Sequence, residues 1–294
     1  QLGILASLQF ERGDMAQSLA TARSTVALAQ DKRLPSSLNP MLTLTWNRIA
    51  RLERQLGHSA ASEQAMQMTA QSNTENIAQF PPNDPQREIF ALSETGLLGR
   101  IQLIDGQPRA ALASSSLVIK QLGQIKIPAN ERNANNVRNN FLRNMYDIGS
   151  ASALQLESYA LAESMARLWQ KVTPDQRSMS GAGAVTELSG TNAVLAHAIA
   201  MQGRAAEAQT ILAPALEYYR NEQKLGAQGT SFRRDFAYAL YVSALAQPEN
   251  AEGRRQRGVD LAAADKLMKG MSVEAQQLAT YRRLAGWITA ARVP

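Results

Sequence analysis

The sequence predicts an all-α protein, and three observations carry this prediction. Alanine (48) and leucine (34) are abundant among the 294 residues, whereas valine and isoleucine together number 23. Good helix formers therefore dominate, and the residues that favour strands are scarce. Capping residues stand before apolar-periodic stretches and glycines stand after them, which is how helices are delimited. With 45% hydrophobic residues, the chain also has enough apolar side chains for an ordinary core.

Helix boundaries are marked along the whole chain. Four predicted starts carry an N-cap residue or a capping-box spacing: Asn39-Pro40, Asp84-Pro85, Thr173 to Gln176, and Ser272 with Glu274. Five glycines mark predicted helix ends: Gly57, Gly106, Gly123, Gly203 and Gly226. No strand is predicted, because the short alternation at Ile125–Ile127 is ended at once by Pro128.

The turns within helix pairs resemble one another. At four places a glycine is followed five residues later by a small residue: Gly13/Ser18, Gly57/Ser62, Gly106/Ala111 and Gly203/Ala208. The glycine allows a helix to end with a positive φ, and the small residue lets the second helix lie close to the first. A fifth copy has Glu157 in place of the glycine and Ala162 at the small position. This recurrence predicts repeated helix pairs.

We therefore expect one helical-repeat domain over residues 1–294. Six helix pairs are predicted at roughly 1–31, 38–72, 85–123, 131–172, 183–224 and 230–269, followed by a capping helix at 272–292. The alternative left open by the residues is an irregular all-α bundle.

These spaced turns resemble the tetratricopeptide (TPR) family of helical hairpin repeats. The resemblance implies a TPR-like α-α superhelix of about six helix pairs, with a concave face lined by the first helix of each pair. The repeats here are longer than the roughly 34 residues of that family, and its Trp-Leu-Gly-Tyr order is not kept. Loops such as 80–84 and 171–183 are expected to absorb the difference.

A second resemblance concerns the C-terminal stretch. The segments 232–237, 277–278 and 284–288 are similar to the ends of helical-repeat regions that follow kinase domains in bacterial transmembrane Ser/Thr protein kinases. In those proteins the repeat region is commonly an extracytoplasmic sensor. The resemblance implies a periplasmic or extracytoplasmic module, with a cytoplasmic one as the alternative. Because the chain opens at Gln1 inside an apolar pattern, we expect it to be part of a longer polypeptide.

Composition excludes several classes of function. The absence of cysteine excludes disulfide scaffolds, thiolate metal sites and cysteine nucleophiles. The net charge of +6 is spread over both halves of the chain, so no nucleic-acid partner is expected. The longest uncharged run, 188–203, is shorter than the roughly 20 apolar residues of a membrane span, so none is expected in this chain.

No catalytic motif is visible in the sequence. The chain lacks the glycine-rich loop, strand lysine and catalytic-loop aspartate of a kinase. His58 lies in a turn, and His197 lies among apolar residues, so the second is read as a packed side chain. The three tryptophans, Trp46, Trp169 and Trp287, are expected in the core. We therefore predict a non-enzymatic chain that needs no cofactor and no metal.

Two polar faces are candidate binding sites. The first is a stripe on one predicted helix, at spacings of three and four residues: Asn136, Asn140, Arg143 and Asp147. Carboxamides can pair with an extended peptide backbone, and arginine can hold a carboxylate. The second face is Arg234, Tyr238 and Tyr241, residue types favoured in protein contacts. The alternatives are a solvated helix face for the first and intramolecular packing for the second.

The expected function is that of a sensor or protein-interaction module. It would bind a peptide, a protein or a small signal on its concave face and regulate an attached effector, which the resemblance suggests is a Ser/Thr kinase. The alternative is a scaffold that acts through self-association, as a homodimer for example.

Overall fold

The structure is a computed structural model that describes residues 2–29, 39–173 and 182–292. Within those ranges the regular structure is entirely helical, and the prediction of an all-α fold is confirmed. The helices are α1 (Leu2–Arg12), α2 (Met15–Ala29), α3 (Asn39–Gln55), α4 (Ser59–Ile77), α5 (Pro85–Ala91), α6 (Ser93–Ile104), α7 (Pro108–Gln124), α8 (Arg132–Gln155), α9 (Tyr159–Val172), α10 (Ala182–Ala200), α11 (Ala205–Lys224), α12 (Thr230–Leu245), α13 (Ala251–Lys269), α14 (Val273–Gln276) and α15 (Ala279–Ala291).

The helices pack in consecutive pairs, as predicted. The pairs are α1 with α2, α3 with α4, α6 with α7, α8 with α9, α10 with α11, and α12 with α13. Contacts between residues divide the chain into two compact units, Gln1–Ile148 and Gly149–Pro294, and α8 runs from the first into the second. A single domain over 1–294 stays a prediction.

The five predicted turns share one backbone geometry. Their pivot residue has a positive φ in every copy, including Glu157 at 57°, the one non-glycine residue with a positive φ among the described residues. In the turn between α10 and α11, the Gly203 N–H donates to the Ala200 carbonyl (2.9 Å) and the Arg204 N–H to the Ile199 carbonyl (3.2 Å). These two bonds form a Schellman motif, and both recur at the other four turns. The five predicted turn positions are thereby confirmed.

The small residue after each turn is fully enclosed. Ser18, Ser62, Ala111, Ala162 and Ala208 are each at most 1% exposed. In the first two pairs the serine hydroxyl also donates to a carbonyl on the preceding helix, from Ser18 to Ala6 (2.8 Å) and from Ser62 to Ala50 (2.9 Å). We therefore expect these side chains to lie where paired helices approach most closely.

Three predicted boundaries need correction. The first helix of the third pair is broken at Leu92 into α5 and α6. The hydrogen bonds of the Phe90 carbonyl explain the break. Its oxygen accepts from the Asn73 side-chain amide (3.0 Å) and from the Ser93 hydroxyl, and these bonds compete with the backbone bond of a continuing helix. Gly123 does not end its helix, since α7 continues to Gln124.

The capping helix predicted at 272–292 is two helices, α14 and α15. Ser272 caps α14 as expected, because its hydroxyl accepts from the Ala275 N–H (3.1 Å). The chain leaves the helical path at Gln277 and Leu278, and Leu278 is 1% exposed with an extended ψ of 130°. Burial of this leucine accompanies the break. Asp84 caps α5 as predicted, whereas the predicted start at Thr173 to Gln176 runs into residues outside the described ranges.

A cluster of charged side chains joins α9 to α11 in the second unit. The Glu163 carboxylate accepts from Arg204 (2.9 Å), Arg167 (2.8 Å) and the Gln202 side-chain amide (2.8 Å). The Arg204 hydrogen bond is the main reason that the pKa of Glu163 falls from 4.5 to about 2.

Acid is expected to weaken this cluster. A carboxyl group with a lowered pKa in the folded state stabilises the fold above its unfolded pKa, and that contribution is lost as the pH falls from about 4.5 towards 2. We expect the melting temperature to drop further between about pH 6 and about pH 3 in the wild type than in Glu163→Gln. An equal drop in both proteins would show that Glu163 ionisation does not contribute.

Candidate functional site

A cavity of about 310 Å³ lies within the first unit. Four helices provide most of its wall, and each presents residues from two successive turns. The lining residues are Thr43, Leu44, Asn47, Arg51, Thr69, Asn73, Asn76, Phe90, Ser93, Gly96, Leu97, Arg100, Phe141, Asn144, Met145 and Ile148. They belong to α3, α4, α6 and α8, with Phe90 added by α5. Three of these helices, α3, α6 and α8, are the first helices of successive pairs.

The wall formed by α4 is polar although it faces the interior. The buried residues of α4 are Ser62, Ala65, Thr69, Ser72, Asn73 and Asn76. Asn73 and Asn76 are 1% and 3% exposed, and both line the cavity. Burying a carboxamide is costly unless its hydrogen bonds are made. With two buried carboxamides in the lining, α4 therefore brings polar side chains to the cavity wall.

Only one end of the Asn73 side-chain amide has a hydrogen-bond partner in the protein. Its Nδ2 donates to the Phe90 carbonyl (3.0 Å), whereas its Oδ1 is buried and has no hydrogen-bond partner. The bond to Phe90 fixes which end of the amide is which, since only the nitrogen can donate. Asn73 therefore holds a buried acceptor in place at the cavity wall.

Positive charge borders the cavity. Arg51 on α3 and Arg100 on α6 both contribute to the lining, and the lining drawn from the described residues contains no carboxylate. Arg100 is paired with Asp147 of α8, with Nη2 and Oδ2 2.5 Å apart. The two guanidinium groups bring N–H donors to the lining.

Aromatic rings form the apolar side of the cavity. Phe90 and Phe141 meet edge to face with centroids 6.0 Å apart, and Phe80 stacks on Phe90 with centroids 5.5 Å apart. Leu97 and Met145 are buried and complete this side. The cavity thus combines carboxamides, guanidinium groups and an apolar surface, which is the composition of a binding site for a small ligand.

The polar stripe predicted on α8 lies beside the cavity rather than in its lining. Asn136 and Asn140 are exposed, and the Arg143 guanidinium donates to the Asn140 side-chain oxygen. Asp147 holds Arg100 and reaches the site only through it. The face of α8 that lines the cavity carries Asn144. The assignment of the stripe to ligand binding stays a prediction.

The second predicted face belongs to a cluster of rings in the second unit. The Tyr238 hydroxyl is 2.9 Å from His197 Nδ1, and Tyr241 stacks on Trp287 with centroids 6.1 Å apart. The Arg234 guanidinium lies over the Tyr281 ring, 5.7 Å from its centroid. These contacts are all intramolecular, and the assignment of Arg234, Tyr238 and Tyr241 to partner binding stays a prediction.

His197 is a packed side chain, as the sequence indicated. It is 6% exposed, and burial lowers its pKa to about 4. The imidazole is therefore neutral at neutral pH. Of the three tryptophans, Trp169 is buried and the other two are half-buried.

Sequence reasoning missed most of the cavity. It did not single out Asn47, Arg51, Asn73, Asn76, Arg100 or Asn144. A signal was present in α4, whose inward positions carry serine, threonine and asparagine where a paired helix ordinarily carries leucine or isoleucine.

Metal-binding clusters and membrane-spanning helices are absent from the described ranges. No group of three or more histidine, aspartate or glutamate side chains there is placed to hold a metal ion. None of the helices described is both long enough and apolar enough to cross a bilayer. Comparison with protein-family models, with curated proteins and with solved structures gives no significant match.

Proposed function

We propose that this chain is a non-catalytic binding module of the TPR-like type, and that its ligand occupies the cavity of the first unit. The observation that carries the proposal is the lining itself. First helices of three successive pairs contribute to one cavity, and they bring carboxamides, hydroxyls and guanidinium groups to it. These groups bind and orient ligands through hydrogen bonds and charge.

We further propose that ligand binding regulates an attached effector. The C-terminal stretch is similar to repeat regions of bacterial transmembrane Ser/Thr kinases. We therefore propose that the attached effector is a kinase of this type. In that arrangement the module lies on the extracytoplasmic side of the membrane and senses a peptide, a protein segment or a small signal.

Methionine methyl NMR provides a test that works before the ligand has been identified. Met145 lines the cavity, whereas Met165 and Met268 are buried in the second unit. Mixtures of small molecules and short peptides are added to methyl-labelled protein, and the Met145 signal is assigned with Met145→Leu. We expect the binding mixtures to shift the Met145 methyl signal and to leave that of Met268 in place.

Two variants of α8 locate the binding face. Asn144→Trp fills the cavity from an exposed position and is expected to abolish binding. The double variant Asn140→Ala/Arg143→Ala removes the neighbouring stripe and is expected to keep binding. The reverse pattern would place the ligand on the stripe. Binding that survives both variants, with shifts confined to the second unit, would contradict the proposal.

A further inference from the structure

We propose that the cavity of the first unit binds a small neutral molecule that carries a primary carboxamide on an aromatic body. The inference rests on the proposed function, because it names the ligand of the same site. Three features of the lining carry it: a buried side-chain amide that makes no hydrogen bond, an aromatic side, and arginines whose charge is already balanced or lies in water.

The hydrogen-bonding group of the site is the side chain of Asn76. This residue is 3% exposed and belongs to the cavity lining. Within the described part of the chain its side-chain amide makes no hydrogen bond, yet neither of its polar atoms is fully covered. Asn73 differs, because its free oxygen is covered by neighbouring atoms. Asn76 therefore offers the cavity an amide that a ligand can reach.

A primary carboxamide is the group that matches Asn76 most fully. The asparagine side chain has an acceptor oxygen and an NH₂ group with two donors. A primary carboxamide presents a donor and an acceptor on one edge, so it forms two hydrogen bonds with a single asparagine. The N–H and C=O of a trans peptide point to opposite sides, which leaves one bond only. Because Asn76 is almost completely buried, water competes weakly for these bonds.

The apolar part of the ligand packs on the aromatic side of the lining. Phe90 and Phe141 present their rings there, edge to face with centroids 6.0 Å apart, and a ligand ring adds a further partner. Leu97, Met145 and Ile148 are at most 4% exposed and line the same cavity. The volume of about 310 Å³ lies at the lower end of the ~300–1,000 Å³ range of small-molecule sites, which suits one ring with a short linker.

The arginines of the lining do not call for a charged ligand. The Arg100 guanidinium is balanced by Asp147, with Nη2 and Oδ2 2.5 Å apart. Arg51 is exposed, so water and salt screen its charge. An ionised ligand loses its hydration on entering the cavity and finds its counter-charges already balanced or screened. A neutral carboxamide avoids that cost and still brings a donor and an acceptor to Asn76.

The test compares four ligands that share one skeleton and differ only in the terminal group. Hydrocinnamamide carries the primary carboxamide, N-methylhydrocinnamamide is the secondary amide, methyl hydrocinnamate lacks N–H donors, and hydrocinnamate carries a charge. Wild-type protein is titrated with each, and the Met145 methyl signal is followed. We expect the primary amide to bind about tenfold more tightly than each of the others, which is the loss of one hydrogen bond to a buried group.

One variant assigns the preference to Asn76. In Asn76→Ala the primary amide and the methyl ester are expected to bind with nearly equal affinity, because the aromatic side remains and the amide is gone. A ratio of affinities within one variant is compared, so a general change of the cavity cancels. Gln71→Ala is the matched control and is expected to keep the tenfold preference, since Gln71 is an exposed carboxamide of α4 outside the lining.

The outcomes separate this inference from the proposed function. Equal affinities of the primary amide and the ester in the wild type, tightest binding of the carboxylate, or no binding of any of the four would overturn the ligand class, while a Met145 shift with another mixture upholds the cavity as the site. A preference that survives in Asn76→Ala would overturn the role of Asn76. A complete absence of Met145 shifts with any mixture would overturn both proposals.

Discussion

Leucine at position 111 or 208 is expected to destabilise the fold by about 1–3 kcal/mol, because there is no room for it. Ala111 and Ala208 are both 0% exposed and stand five residues after the pivot of a turn, where we expect paired helices to approach most closely. The larger side chain must push the helices apart or adopt a strained rotamer. Thermal and denaturant unfolding of Ala111→Leu and Ala208→Leu measure the loss.

Matched controls lie on the same two helices. Ala113 and Ala213 are exposed, so Ala113→Leu and Ala213→Leu are expected to stay within about 0.5 kcal/mol of the wild type. If all four variants unfold alike, the small residues are not the points of closest approach.

Opposite effects are expected at two equivalent turn positions. Gly203 has a φ of 77° and nothing within 4 Å of the place where a Cβ would stand, so Gly203→Ala adds backbone strain alone. The left-handed conformation costs a non-glycine residue about 1–2 kcal/mol, and we expect a destabilisation of that size. Glu157 already bears this strain at a φ of 57°.

Glu157→Gly is therefore expected to stabilise the protein. The gain is about 1 kcal/mol or less, because the added flexibility of glycine in the unfolded chain offsets part of the relief. Glu157→Ala keeps the strain and is the control, with an unfolding free energy close to that of the wild type. A loss of stability in Glu157→Gly would mean that the glutamate side chain makes a contribution larger than the strain.

The turns were predictable from the sequence because their causes are local. A residue with positive φ and a small residue five positions later are separated by one turn of helix, so the pattern can be read even where Glu157 replaces glycine. The break at Leu92 was not predictable in this way. It depends on the side chain of Asn73, 17 residues away from Phe90, and no local pattern reports such a contact.

The candidate site was predicted only in part for a similar reason. The resemblance to TPR repeats implied a binding face on the first helices of the pairs, and three of these helices line the cavity. The helical periodicity of α8, however, gives a polar side and an apolar side, and the polar side contains Asn140 and Arg143. The face that lines the cavity instead contains Asn144 together with Phe141 and Met145. Periodicity separates residues by polarity, and a ligand site needs both kinds on one face.

The polar inward face of α4 has a consequence for motion. Its fully buried side chains are serine, threonine, asparagine and alanine, so these positions gain little hydrophobic stabilisation. Segments with few buried apolar contacts open at low free energy, well below that of global unfolding. Opening of the wall that carries Asn73 therefore exposes polar groups rather than a large apolar surface.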